Sequence, residues 1–304
     1  MAGTSGRKGS VRSFAYHAPA SVAEAVDILH REGGGKILAG GTDLLIHIKE
    51  RGLVPRYVLS LRDIKELEAI AFDEHTGLRI GAAARLSDVA SHPVVQQRYP
   101  ILVEGASLIG SLQIQNLGTV VGNLCNAAPS ADCAPPLIAL DASVRIAGPD
   151  GAGVATRTVK LNDFCVGPGR TVLEPDEIAV EVVVPPPPPG SGGSYERFTP
   201  RQEMDIAVVG VGSFVTLDRG DRCSGVRICL GAVAPTPLRA HDAEHLLEGQ
   251  RLSPELILRA AEAAGECARP ITDQRGTADY RRHLVRALTR RTLLAAWQNA
   301  QTSL

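Results

Sequence analysis

Apolar positions fall along the chain in blocks whose spacing changes repeatedly, and those changes mark the elements. Val22, Ala25, Val26 and Leu29 recur at helical spacing behind Ser21, with Glu24 three residues on. That is an amphipathic helix opened by a capping box. Gly33-Gly34-Gly35 ends it, and Lys36-Ile37-Leu38-Ala39 reads as a short buried strand. Gly40-Gly41 turns the chain into a second helix over Leu44 to Glu50, and Tyr57 to Leu61 forms another strand. Helix, strand, helix, strand in that order predicts an α/β subdomain of about sixty residues.

Two strands follow, Leu67 to Phe72 and Leu78 to Ala84, around the turn Asp73 to Gly77. Helices are expected over Leu86 to Ala90 and Ile101 to Leu108. Gly110 to Pro136 is rich in Gly, Asn, Ser and Ala and has little periodicity. It reads as a long loop whose ordering needs a ligand or a core to offset it. A hairpin, Ala142 to Ala147 with Thr156 to Leu161, and a strand over Glu177 to Val184 close this unit. Pro185 to Gly193 is a proline run followed by Gly and Ser, a semi-rigid linker that cannot lie inside a sheet. Beyond it come two long apolar strands, Ile206 to Leu217 and Val226 to Val233. Helices then span Ala240 to Leu247, Pro254 to Ala268 and Ala278 to Asn299. Strands first and helices afterwards predict an α+β unit. The expected division is a disordered tail over 1–10, a cofactor-sized unit over 11–188 with subdomains of about 11–62 and 63–188, and an α+β unit over 194–302.

A net charge of −1 gives no reason to expect a nucleic acid or an anionic membrane as partner. No apolar run approaches the length of a membrane span. Met1 to Ser10 is polar with no apolar stretch behind its basic residues, unlike a signal peptide. The six cysteines form no C-x-x-C and have no histidine at zinc-finger spacing. They read as reduced thiols of a cytoplasmic protein, with no metal site of the chain's own. His47, His241, His245 and His283 are scattered over predicted helices, where surface or core positions are favoured over ligation. No nucleophile or acid–base pair stands out, so no catalytic residue is assigned.

Two glycine loops carry the candidate chemistry. Lys36 to Asp43 places Gly40 and Gly41 between a strand and a helix expected to open at Thr42, where backbone N–H groups and the helix end suit a phosphate. No Gly-Lys-Ser/Thr and no G-x-G-x-x-G accompanies it. Gly118-Thr119-Val120-Val121-Gly122-Asn123 repeats the logic, with Thr119 and Asn123 as side-chain donors. Either loop alone is equally a turn that needs glycine. Together they are the right number to hold the two phosphates of one dinucleotide.

Ala39-Gly40-Gly41-Thr42-Asp43-Leu44-Leu45 closely resembles the first FAD pyrophosphate loop of the FAD subunits of molybdenum hydroxylases, the xanthine dehydrogenase and aerobic carbon monoxide dehydrogenase type. Ile109-Gly110-Ser111, Gln115 to Thr119, Gly122-Asn123 and Asp132 resemble the second loop. Arg85 to Asp88, Gly167 to Thr171, and Tyr195 to Phe198 with Asp205-Ile206-Ala207 match in order and spacing, and the resemblance runs from Phe14 to the final helix. It implies an FAD-binding domain of two subdomains, of the p-cresol methylhydroxylase type, followed by a C-terminal domain with a small antiparallel sheet and a helical bundle.

The resemblance also implies site roles. Lys36, Ile37, Leu38, Ala39, Gly40, Gly41, Thr42 and Asp43, with Thr119, Val120, Val121, Gly122 and Asn123, would wrap the pyrophosphate and ribityl chain. Asp132 would accept from the cofactor, or else cap the helix after it. Ile109, Ile178 and Ala179 would supply further contacts. Arg197 would reach the cofactor or else be a solvated edge charge. Ile206 would cover one ring face or else be core. FAD would be noncovalent, since Thr42 stands where covalent relatives place a histidine. The partners implied are a large subunit with the molybdenum cofactor and a small subunit with two [2Fe–2S] clusters, in a dimer of heterotrimers. Electrons would pass on to NAD, a quinone or oxygen. A self-sufficient flavin oxidase and a scaffold that has lost FAD are the competing expectations. Val121 replaces a glycine common in relatives and would be strained if the backbone there needs positive φ. The four-cysteine insertion of benzoyl-CoA-type reductase subunits is absent.

Overall fold

The computed structural model describes residues 12–151, 153–201 and 204–303, so the expected tail lies outside the described residues. The first subdomain is a parallel three-stranded sheet with two helices: β1 (Ala15–His17), α1 (Val22–Glu32), β2 (Lys36–Leu38), α2 (Leu44–Glu50) and β3 (Tyr57–Ser60), in the order β1-β3-β2. Half of the capping box forms as expected, with Ser21 Oγ accepting from Glu24 N, while Glu24 Oε2 accepts from Ala20 N, one residue before the cap; Gly33 ends α1 at φ 60°. α2 spans Leu44–Glu50 as expected, but it opens behind Asp43 at the cap position and not at Thr42. Strand β1 was not predicted; three half-exposed residues carry too little pattern.

The second subdomain holds an antiparallel sheet in the order β4-β5-β10-β6-β7. Its members are β4 (Ile70–Asp73), β5 (Gly77–Gly81), β6 (Ser143–Asp150) and β7 (Gly153–Lys160), with β10 (Ile178–Val184) at the centre. Leu67, expected in β4, lies instead in a 3-10 turn over Lys65–Glu68. Asp73 Oδ1 accepts from the N–H groups of His75 and Thr76, which fixes the β4–β5 turn. Between β5 and β6 run α3 (Leu86–Ser91), α4 (Pro93–Arg98), α5 (Pro100–Ser107), α6 (Leu112–Gln115), α7 (Val120–Cys125) and α8 (Ala134–Ala139). The long loop expected over Gly110 to Pro136 is therefore corrected to α6, α7 and the start of α8. Helices of four to six residues are too short to show periodicity. α9 (Leu161–Phe164), β8 (Cys165–Gly167) and β9 (Arg170–Thr171) follow β7.

Beyond Pro185 to Pro189 the third sheet is antiparallel, in the order β11 (Ser191–Phe198), β12 (Val209–Leu217), β13 (Cys223–Gly231), β14 (Leu238–Arg239). The linker is shorter than expected, because Ser191 to Gly193 are buried in β11. Glycine hid that strand from the apolar pattern yet makes it possible: a Cβ on Gly192 would overlap the backbone of Ala296 and Ala300. The helices are α10 (His241–Leu247), α11 (Pro254–Cys267) and α12 (Ala278–Thr302). α12 lies on the sheet, with Ser213 Oγ and Thr292 Oγ1 2.8 Å apart. One large core joins α1, the five-stranded sheet, α3 to α5, α7 and α8, and reaches Tyr195, Phe214 and Cys229. A second core lies between the C-terminal sheet and its helices.

Candidate functional site

The two glycine loops touch. A Cβ on Gly40 would overlap the carbonyl oxygen of Leu117 and the Cα of Gly118, so only glycine lets the loops meet there. Gly41 has φ +80°, where a side chain is strained, and faces Leu38 Cδ1. The second loop is held from outside: Leu86 N donates to Gly118 O at 2.9 Å, and Arg85 bridges Thr119. Gly169 N donates to Ala127 O at 2.9 Å. The Arg85 and Gly167 motifs therefore brace the loop system. Thr119 caps α7, its Oγ1 accepting from Gly122 N at 2.9 Å.

A cavity of about 410 Å³ opens between these loops. Of the first predicted loop, Lys36, Ile37, Ala39, Gly40, Gly41, Thr42 and Asp43 line it. So do Ile109, Thr119, Val121, Gly122, Asn123, Ile178 and Ala179 from the second subdomain. Val121 lies inside α7 and is not among the residues of positive φ, so the feared strain does not arise. Asn123 Oδ1 accepts from Cys133 N at 3.3 Å, which turns its NH₂ group free of that bond.

Leu38, Val120, Asp132, Arg197 and Ile206 lie outside this lining. Leu38 packs with Ile48 and Val58 under the first sheet, and Val120 is fully buried in the large core. Ile206 is 48% exposed, so it is not core. Asp132 does not cap α8, whose cap position is Cys133. Its carboxylate accepts from Tyr195 Oη and from Arg197 Nη1 instead. Arg197 is correspondingly buried, its side chain 4% exposed, and is no solvated edge charge. Burial pushes the Asp132 carboxyl up, against the pull of Arg197 and Tyr195.

Residues the sequence did not single out complete the lining. His47 from α2, Cys125 at the end of α7 with Asn126 just after it, and apolar Leu53, Leu61 and Leu173 all face the cavity. His47 Nε2 lies 3.0 Å from Arg51 Nη1, one helical turn on. Burial raises the Cys125 thiol to about 12, which keeps it a neutral wall residue. Helical spacing from Leu44 could have found His47; nothing local marks Leu173.

A parallel α/β subdomain and an antiparallel one closing glycine loops on one cleft have the build of a two-lobed cofactor-binding protein, with an α+β unit appended. Comparison with known proteins agrees. Residues 12–187 match the family model described as the FAD binding domain in molybdopterin dehydrogenase, and 194–296 match the CO dehydrogenase flavoprotein C-terminal domain. The carbon monoxide dehydrogenase medium chain of Hydrogenophaga pseudoflava is 38% identical over 93% of this chain and 97% of its own. The putative xanthine dehydrogenase FAD-binding subunit of Escherichia coli is 34% identical over 92% and 95%. A carbon monoxide dehydrogenase structure from Hydrogenophaga pseudoflava superposes with a TM-score of 0.89 at 37% identity, over 96% of this chain and 99% of that one. The chain belongs to the family of FAD-binding subunits of molybdenum-containing hydroxylases and dehydrogenases.

Proposed function

We propose that this chain is the electron-transfer subunit of a molybdenum hydroxylase complex, receiving electrons from [2Fe–2S] clusters of a small partner and passing them to NAD, a quinone or oxygen. A large partner carrying the molybdenum cofactor would oxidise the substrate, in a dimer of heterotrimers in the cytoplasm. The meeting of Gly40 with Leu117 and Gly118 beside one cavity carries the reading. That contact brings the backbones of both loops to the wall of one cavity, an arrangement that fits a pyrophosphate held by main-chain groups. The names of relatives support the setting, since they are medium or FAD subunits of dehydrogenases. Six free cysteines fit a reducing compartment.

FAD, when bound, supplies reversible redox chemistry in one- or two-electron steps. The chain's own residues bind and orient it. Lys36 brings positive charge to the first loop, and Gly40 to Asp43 line the same cavity with N–H groups that meet no backbone acceptor among the described residues. Thr119 and Asn123 serve from the second loop, while Ile109, Ile178 and Ala179 give an apolar wall that excludes water. In this reading exposed Ile206 and the buried Asp132–Arg197 pair act on the cofactor from outside the cavity lining. The domain division at the proline run belongs to the same proposal. Thr42 at the loop and no cofactor-linking residue in the motif favour noncovalent binding.

Purification with the neighbouring gene products, followed by metal and flavin analysis, tests this. Copurification of two further chains with molybdenum, iron and acid-releasable FAD is expected. A lone chain that oxidises a substrate by itself would overturn it.

A further inference from the structure

Arg62 stands just beyond β3, directly across the parallel ladder from the first glycine loop. The register Leu38↔Ser60 and the bond from Leu61 N to Leu38 O bring it there. Its guanidinium spends one edge on two successive backbone carbonyls: Nε donates to Ala39 O at 3.0 Å and Nη2 to Gly40 O at 2.9 Å. Among the described residues Arg62 forms no ion pair, and Glu66 and Glu68 bond to Val22 N and Lys65. Arg62 is itself exposed and outside the cavity lining.

We propose that Arg62 is a positioning residue for the cofactor's pyrophosphate, holding the Ala39 and Gly40 carbonyls back so that the N–H groups of Gly40 to Asp43 face the anion. This rests on the reading of the cleft as an FAD site. Two successive carbonyl dipoles gathered on one cation are removed from the phosphate's surroundings, where they would repel it. The N–H groups of Gly40, Gly41, Thr42 and Asp43 meet no backbone acceptor among the described residues, so they are left for a ligand. Gly41 takes φ +80° within this run, and Asp43 lies in the right-handed region two residues on. α2 is only seven residues long, so the loop and its clamp have more to do than the helix end.

The test is titration of the flavin-free full chain with FAD and with ADP, for wild type, Arg62→Lys, Arg62→Met and Arg62→Ala, beside melting of each without ligand. Arg62→Met is expected to weaken FAD and ADP by the same factor, about ten- to a hundredfold, as for lost charge-assisted hydrogen bonds. Its ligand-free melting temperature should stay at the wild-type value, because Arg62 is exposed. Arg62→Lys should recover part of the affinity, and added methylguanidinium should restore binding to Arg62→Ala. Wild-type uptake of FAD with Arg62→Met within twofold of it overturns this inference alone. A ligand-free melting point that falls in step with affinity also overturns it, since the role is then structural. Failure of the wild-type chain to take up FAD overturns the cofactor assignment and this inference with it.

Discussion

Tyr195 donates its phenol to Asp132 Oδ1 across 2.7 Å, joining the first strand of the C-terminal sheet to the turn that leads into α8. Arg197, two residues along β11, takes the other carboxylate oxygen. The carboxyl is thus buried with a cation and a hydroxyl as its partners, and burial alone pushes it toward the neutral form. Removing the cation leaves a buried charge uncompensated, which costs far more than the pair contributes. Arg197→Met is expected to lower stability by about 3–5 kcal/mol and Tyr195→Phe by about 1–3 kcal/mol. A raised carboxyl pKa favours the folded state only while the group is protonated, so the Arg197→Met deficit should shrink as pH falls. Urea unfolding at several pH values checks both, and an unchanged midpoint for Arg197→Met at neutral pH would contradict the assignment.

Gly40→Ala puts a methyl group into the Leu117 carbonyl. The loops must part, but the large core does not depend on that contact, so a folded chain that has lost its flavin is expected. FAD content per purified chain should drop at least tenfold, with circular dichroism unchanged, since one misplaced loop forfeits several N–H contacts at about 1.5–3 kcal/mol each. Retention of full flavin would mean that the loops have slack the packing does not show.

Elements with strong periodicity or clear punctuation were legible from the chain: α1 with its capping box, the hairpin of β6 and β7, and the long helices α11 and α12. Short or glycine-bearing ones were not. β11 begins Ser-Gly-Gly-Ser, and its place in the sheet is set by the approach of α12, which no local pattern encodes. The glycine loops were legible because positive φ and close approach demand glycine. The partners of Asp132 were not, because Tyr195 lies 63 residues away and meets it only through the fold. Leu173 enters the cavity for the same reason, whereas His47 follows Leu44 at helical spacing.

Arg157 and Glu177 form a bidentate pair, with both N–O distances 2.7 Å, at the start of β10. Glu177 also accepts from Glu174 N at 2.9 Å, so the pair pins the residues just ahead of Ile178 and Ala179 in the cavity wall. The hydrogen bonds from Arg157 hold the Glu177 carboxyl below its usual range. A depressed carboxyl pKa gives stability that is present above the unfolded value and is lost as pH falls through the folded one. Glu177→Gln should therefore cost about 1 kcal/mol at neutral pH, discounted because Arg157 is half-exposed. Chemical denaturation from pH 7 downward should show the two proteins converging below the ordinary glutamate value of about 4.3. A difference independent of pH would point to packing instead of charge.

Val121 is the remaining departure from the family pattern, and its setting decides what restoring a glycine would do. It sits in the first turn of α7, is 3% exposed, and presents its side chain both to the large core and to the cavity. Its backbone is helical, so glycine relieves no strain there. Val121→Gly removes a buried isopropyl group and adds backbone freedom within a helix, costs of about 1.5–2 and 1 kcal/mol respectively. The variant should be less stable by about 2–3 kcal/mol and should bind FAD no more tightly than wild type. Melting of the flavin-free chain and an FAD titration measure the two separately. A tighter flavin complex in the variant would show that the loop needs the freedom of glycine, and that the helical conformation of Val121 opposes binding.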